Sequence, residues 1–432
     1  MRIVLTLIAV LLVIAAGLYA ILRHGVVRIE TEDEKPAADL RKLQALPYLA
    51  HVEDDPNPDV SGVTVHEEAL AFEGLNLLTS LDMGSSHLLD MKGNVLRSWH
   101  APDSIQGRWI HAELDRDGNL FVIAAGAGLL KLDWDSRLVW ISRPSDNPYL
   151  NKRGEGYHHD LELAGSGDIY VLAQERRRVT DPYGEPQPKR PWKAKPPGYE
   201  IRDNSIVVLS PEGTPRSKIS FYDLAGELLA AEIKKQVEDI KAGLKSRGVV
   251  PVMSFDIFHA NTVEEILMDI GVARKGDLLF CIRNLDLIGT LDIEKEEIAW
   301  IWGPNVLERP HNSSLLANGH ILVFDNGLRE RGYSRVLEVD PGTGEIVWQY
   351  ESDPREDFFS PVMGGNQRLP GGNTLITEST EGRVFEVTGD GKVVWEFLNF
   401  ETSKDAEHEG KRSTIYRMIR YDPQYLRRAL PR

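Results

Sequence analysis

HNSSLLANGHILVFDNGLRERGYSRVLEVDPGTGEIVWQY, residues 311–350, reads as four short strands. The first opens at His311 and turns at Ala317–Asn318–Gly319. HILVFDN runs back, SRVLEVD follows, and EIVWQY closes the unit across Asp340–Pro341–Gly342–Thr343–Gly344. Short alternating apolar runs rich in Val, Ile, Leu and aromatics, cut by Gly, Pro and Asn, are the signature of an antiparallel meander. The same pattern recurs at 111–142, at 158–221 with an insertion, at 259–302, at 364–397 and, more weakly, at 74–99. Six units of four strands, most of roughly 35–50 residues, predict an all-β, six-bladed β-propeller of four-stranded antiparallel blades. The predicted propeller spans 63–426. Residues 63–73 are expected to add a strand that helps close the ring, and STIYRMIRYDPQYL (413–426) to form a closing strand or packed tail before a short tail at 427–432.

At 432 residues and 42% hydrophobic, the chain can bury a large core as one closed domain. A net charge of −16 argues against generic binding to nucleic acid or to an anionic membrane surface. The single cysteine, Cys281, excludes an internal disulfide and any cysteine-based metal cluster. Residues 3–22, IVLTLIAVLLVIAAGLYAIL, carry no charge and are long enough for a helix to cross the hydrocarbon of a bilayer. They predict an uncleaved transmembrane anchor over 1–24. The acidic, proline-punctuated stretch 25–62 reads as a tether, with a turn or two of helix near Ala38–Leu46 and residues 401–413 loose at the other end.

Two insertions interrupt the repeats. The stretch 175–200 has six prolines and seven Lys or Arg, which predicts an extended, solvated loop. In 223–247, Leu229, Ile233, Val237, Ile240 and Leu244 recur at helical spacing, which predicts an amphipathic helix packed on the propeller surface or closing the channel mouth as a lid.

In a propeller the first strand of each blade lines the central channel. Four consecutive units open that strand with histidine: His111, the pair His158–His159, His259 and His311. The second strand returns antiparallel to the start of the first, which brings Arg283 beside His259 and Asn326 beside His311. Gln174 and Ser379 fall at the equivalent positions, with Asp325 and Thr377 close by. Asn261, two residues after His259, shares a strand face with it. Imidazoles, an amide and a guanidinium in one place make a dense donor array for a tetrahedral oxyanion, and imidazole can also attack covalently or shuttle a proton. Two plainer readings compete. A recurrent histidine can bond only within its own blade, and three histidines on a ring can hold zinc, although Arg283 disfavours a cation there. No metal or cofactor is expected. Trp99, Trp140, Trp300, Trp348 and Trp395 recur at fourth-strand positions, where they fill the space between blades. DPGTGEIVW is similar to the repeat of quinoprotein propellers, but the vicinal cysteines common in those dehydrogenases are absent and the blades number six, not eight.

HHDLEL (158–163), HANT (259–262), PHNSSLLANGHILVFDNG (310–327) and GGNQRLPGGNTLITESTEGRVFEVTGDGKVVWEF (364–397) together resemble the arylsulfotransferase (aryl sulfate sulfotransferase) family over roughly 70–425. The resemblance implies a six-bladed propeller exported to the periplasm, here on a membrane anchor. It also implies transfer of a sulfuryl group from an aryl sulfate to a phenol without a nucleotide donor. His311 would be the nucleophile, with His259, Arg283 and His159 as catalytic partners. Asn261, His158, His111, Asn326 and Thr377 would line the substrate. A disulfide known in that family cannot form within this chain. The reading of another class is a membrane-tethered scaffold that presents its blades to a protein partner.

Overall fold

The computed structural model describes residues 50–52, 55–81, 83–105, 107–151, 154–179, 199–246, 255–403, 408–426 and 428–429. The apolar stretch 3–22, the tether up to residue 49 and the proline-rich core of the first insertion lie outside the described residues. Among the described residues no helix is long and apolar enough to cross a membrane.

Six antiparallel sheets of four main strands each carry the chain. Blades 2 to 6 each take their inner strand from their own first segment: Trp109–Leu114, Gly154–Leu163, Ala260–Glu265, His311–Leu315 and Gly365–Arg368. Blade 1 differs. Its three N-terminal strands, Leu75–Ser80, Ser85–Leu89 and Val95–His100, are completed by Ile415–Tyr421 from the other end of the chain. That borrowed strand explains why the repeat at 74–99 is the weakest. Gly62–His66 adds a fifth strand to the outer edge of blade 6, so both ends of the ring are tied across the closure.

Arg420, on the borrowed strand, is buried at the seam. Its guanidinium donates to Asn76 Oδ1 and Phe72 O and pairs with Glu386, and it stacks 4.5 Å over the Trp395 ring. Arg412 does the same for the segment before the first blade. It donates to Asn57 O, Val60 O and Asn399 O and pairs with Asp55. The stretch 408–413 is therefore held against the ring rather than loose.

Adjacent blades are pinned by the repeat tryptophans. Indole N–H groups of Trp99, Trp302, Trp348 and Trp395 donate to Asp133 O, Gly344 O, Gly389 O and Met91 O in the next blade. In blade 4 the donating ring is Trp302, while Trp300 packs partly buried in the cluster that blades 4 and 5 share, as expected of a fourth-strand tryptophan. Trp140 lies against Gly213, where φ is +79° and a Cβ would fall 2.7 Å from the indole, so the turn demands glycine.

The two insertions both grow from blade 3. Its middle strands extend to Ile169–Val179 and Tyr199–Leu209, paired as far as Val179 with Tyr199. The expected loop therefore begins as a paired hairpin at both of its ends. The second insertion is a helix, Gly226–Ser246, as the spacing predicts. Leu229 and Ile233 are buried against Phe221, Ile257, Phe258 and Leu285. Phe258 and Leu285 flank His259 and Arg283, so this helix backs two of the residues singled out above.

Candidate active site

The inner strands of blades 3 to 5 bring His158, His159, His259 and His311 together at the channel. His159 is central. Its ring lies 4.8 Å from His259 and 4.7 Å from His158 between centroids, and 6.5 Å from Tyr416. His158 and His159 share a short contact between their Nδ1 atoms. His159 and His259 both hold φ near +60°, at 62° and 54°, a left-handed bend that falls within the inner strand of blade 3 and just before that of blade 4.

His311 is 3% exposed. Its Nδ1 lies 2.8 Å from Asn326 Oδ1 and 3.2 Å from Arg309 O. The Asn326 amide cannot be reversed, because its Nδ2 donates to two backbone carbonyls, Ser360 O and Met363 O, each at 2.6 Å. Oδ1 is thus the acceptor and His311 Nδ1 the donor, which leaves the lone pair on Nε2. That Nε2 is buried and meets no hydrogen-bond partner among the described residues. Burial, followed by the charge of Arg283, holds the His311 imidazole well below the usual histidine range, so the ring is neutral.

His259 has a different partner. Its Nδ1 donates to Asp256 Oδ2 at 2.6 Å. Burial pushes the Asp256 carboxyl up, but His259, with Arg202 and His158 behind it, outweighs that push and the acid sits below its ordinary value. Arg283 follows the second strand of blade 4, with its backbone N–H on His259 O, 3.2 Å away. Its Nη1 donates to Asn284 Oδ1 at 2.9 Å, and Arg309 Nη1 donates to the same oxygen at 2.8 Å. The chain of contacts thus runs from Arg283 to Arg309 and on to His311. Burial works against the Arg283 charge, with Asp256 and Asp286 opposing that loss. His159 is held well below the histidine range by burial and then by the charges of His259, His311, Arg283 and Arg417. His158 is lowered to about 4 for the same first reason, with His259 next.

The remaining expected site residues stand at the margins. Asn261 is buried, and its Nδ2 donates to Pro310 O at 2.9 Å, so it braces the backbone that enters His311. Asn326 carries its amide behind the His311 ring, spent on protein partners. Thr377 is buried between inner strands, where its hydroxyl accepts from Met418 N at 3.2 Å. His111 lies one layer below, 3.1 Å from Glu113 Oε1 and 3.3 Å from Asp160 Oδ1, and burial drives it down to about 3.

Sequence reasoning missed Asp256, Tyr416, Asp160 and Arg417. Asp256 lies outside the repeat, on the two-residue strand Phe255–Asp256 that joins blade 3 in parallel. Tyr416 and Arg417 sit on the borrowed strand, in the register of the inner strands. Arg417 Nη1 donates to Asp160 Oδ1 at 3.0 Å and closes the floor of the site. Arg417 also lines a cavity of about 210 Å³, together with Glu264, Ser314, Asn366, Arg368 and Met418. Among the described residues no group of three or more His, Cys, Asp or Glu is arranged to hold a metal ion.

Chemically, the arrangement offers a neutral imidazole with an unpartnered lone pair, a partly buried guanidinium within electrostatic reach, and a carboxylate-backed imidazole. It is suited to group transfer from an anionic donor. Solved structures are similar to this chain at low identity. A Bacteroides caccae protein of unknown function is 11% identical, covering 76% of this chain and 94% of that one, with a TM-score of 0.48. A streptogramin B lyase is 12% identical over 86% and 96%, at 0.42. The WD40 propeller domain of Doa1 is 10% identical over 86% and 94%, at 0.41. Likeness at that level says nothing about chemistry. No curated protein matches the chain. A family model described as arylsulfotransferase (ASST) matches residues 112–400, and the chain belongs to that family.

Proposed function

We propose that the protein moves a sulfuryl group from an aryl sulfate to a phenol, without a nucleotide donor, through a sulfohistidine at His311. The observation that carries this reading is the state of His311: a buried ring with Nδ1–H engaged and an unpartnered Nε2, within electrostatic reach of the partly buried Arg283. Nε2 attacks sulfur, the S–O bond to the aryl group breaks, and its electron pair leaves on the phenolate. Arg283 counters charge on the sulfuryl oxygens. His259, backed by Asp256, protonates the leaving phenolate and later takes the proton of the acceptor phenol. The acceptor oxygen then attacks the sulfohistidine and the imidazole is released. Each cycle returns every proton to its origin, so no external acid is consumed. His158, His159 and Tyr416 shape the wall against which the aryl ring rests.

The twenty-residue apolar stretch at 3–22 supports a propeller held at a membrane, and the resemblance to an exported family favours its extracytoplasmic side. Resistance of the full chain to carbonate extraction, with protease access from outside the cytoplasm, tests that placement. The chemistry is tested with p-nitrophenyl sulfate and phenol. Wild type is expected to release nitrophenol in a phenol-dependent manner and His311→Ala to lose that release. Nitrophenol release unchanged in His311→Ala contradicts the assignment of the nucleophile.

A further inference from the structure

The two histidines assigned to chemistry differ in what holds their Nδ1–H. His259 gives it to a carboxylate, Asp256 Oδ2 at 2.6 Å. His311 gives it to an amide oxygen, Asn326 Oδ1 at 2.8 Å, and to a peptide oxygen, Arg309 O at 3.2 Å. A carboxylate can take the proton outright. An amide or peptide oxygen is far too weak a base to do so. The difference is built into the surroundings. Asn326 is fully buried, and its Nδ2 is fixed by Ser360 O and Met363 O. Ser334 Oγ donates to Asn326 O at 3.0 Å and accepts from Ser360 N at 2.9 Å, so the strand end and the loop that orient the amide are themselves bonded together.

We infer that Asn326 is the positioning residue that keeps the sulfohistidine in its transferable, imidazolium form. The inference rests on the sulfuryl-transfer reading above. When Nε2 bonds to sulfur, the ring gains one positive charge if Nδ1 keeps its proton. The second half-reaction then expels a neutral imidazole. Were Nδ1 to lose its proton to a neighbour, the leaving group would be an imidazolate, a much poorer one, and the sulfuryl group would stay on the enzyme. An amide at 326 prevents that loss and a carboxylate would invite it. Balance is kept throughout. The N–S bond forms as the S–O bond breaks, the phenolate takes its proton from His259, and the Nδ1 proton never leaves the ring.

Two measurements test this. In wild type with ¹⁵N-labelled histidine, the His311 resonances should show a protonated Nδ1 and a bare Nε2 in the resting enzyme, with the Nδ1 proton retained after reaction with donor alone. A resting ring protonated at Nε2 overturns the inference without any mutation. The second uses Asn326→Asp, a near-isosteric change, with p-nitrophenyl sulfate and phenol. It is expected to release one equivalent of nitrophenol per site in a burst and to accumulate sulfo-enzyme. Steady turnover is expected to fall roughly 10²–10⁴-fold. Asn326→Ala, which leaves Nδ1–H only the Arg309 carbonyl and offers no base, is expected to lower burst and turnover together without accumulation. Sulfo-enzyme in Asn326→Asp that transfers to phenol as fast as in wild type overturns the inference while leaving His311 as nucleophile. Wild type that never carries a sulfuryl group on histidine removes the reading beneath it instead.

Discussion

In the proposed mechanism the partly buried carboxylate–imidazole pair of Asp256 and His259 handles the proton while His311 makes the nucleophilic attack. Asp256→Asn is expected to lower kcat by about 10²–10⁴-fold, with donors of more basic phenols suffering most. Equal loss across a series of aryl sulfates would falsify an acid–base role. His311 adds a pH signature. Its ring is held neutral by burial and by Arg283, so acidification below about 6.5, the ordinary histidine value, leaves the nucleophile intact. The acid limb of kcat/KM is therefore expected below that value, and a limb at or above it that shifts in Asn326 variants contradicts the assignment. At this scale the sequence was legible in part. Strand register alone brought Asn326 to His311 and Arg283 to His259, because an antiparallel hairpin fixes which positions meet. Register does not say which way an amide faces, and so Asn326 and Asn261 read as substrate ligands when their amides serve the protein. Asp256 was illegible because it belongs to no repeat.

Among the elements, the helix Gly226–Ser246 bears most on the site. Leu229 and Ile233 pack beside Phe258, which precedes His259, and Leu285, two residues beyond Arg283 in the same turn. Leu229→Ala is expected to cost about 2–5 kcal/mol of stability and to lower kcat as well, because the cavity opens behind both residues. A loss of Tm with kcat unchanged would show that the helix only covers apolar surface. The tryptophan dockings act differently, blade against blade. Gly213→Ala must place a Cβ against Trp140 at a positive φ and is expected to lower Tm while leaving chemistry alone. The helix was visible as a periodicity, and its packing partner was not. Periodicity shows an apolar face but not what covers it.

The whole ring depends on its closure. Chain ends from 50–80 and 408–421 interlock through Arg412 and Arg420, both buried. Arg420→Ala leaves Glu386 buried without its cation and is expected to cost about 3–5 kcal/mol, while the paired change Arg420→Met with Glu386→Leu is expected to recover much of it. Urea midpoints of the three proteins decide the matter. The channel also gives the fold a pH dependence. Burial raises Glu113 to about 7 and Glu264 to about 8. Their folded values exceed the unfolded one, so their stabilisation is complete below about 4.5 and is lost as pH rises through 7 to 8. His111, lowered to about 3, works on the other side, with stability lost as pH falls from about 6.5 through that value. Glu113→Gln with Glu264→Gln is expected to flatten the alkaline fall in Tm, and an unchanged fall rules those carboxyls out. The propeller itself was legible from six repeats. The borrowed inner strand was not, since pairing across the whole length of the chain leaves no local signal beyond one weak repeat.

The most direct test of the chemistry is to mix enzyme with an aryl sulfate in the absence of any phenol, quench, and map the modified peptide by mass spectrometry. The expected result is a single sulfuryl group on His311, absent from His311→Ala and discharged when phenol is added before the quench. Turnover with no enzyme-bound sulfuryl group, or with the group on a residue other than His311, would contradict it.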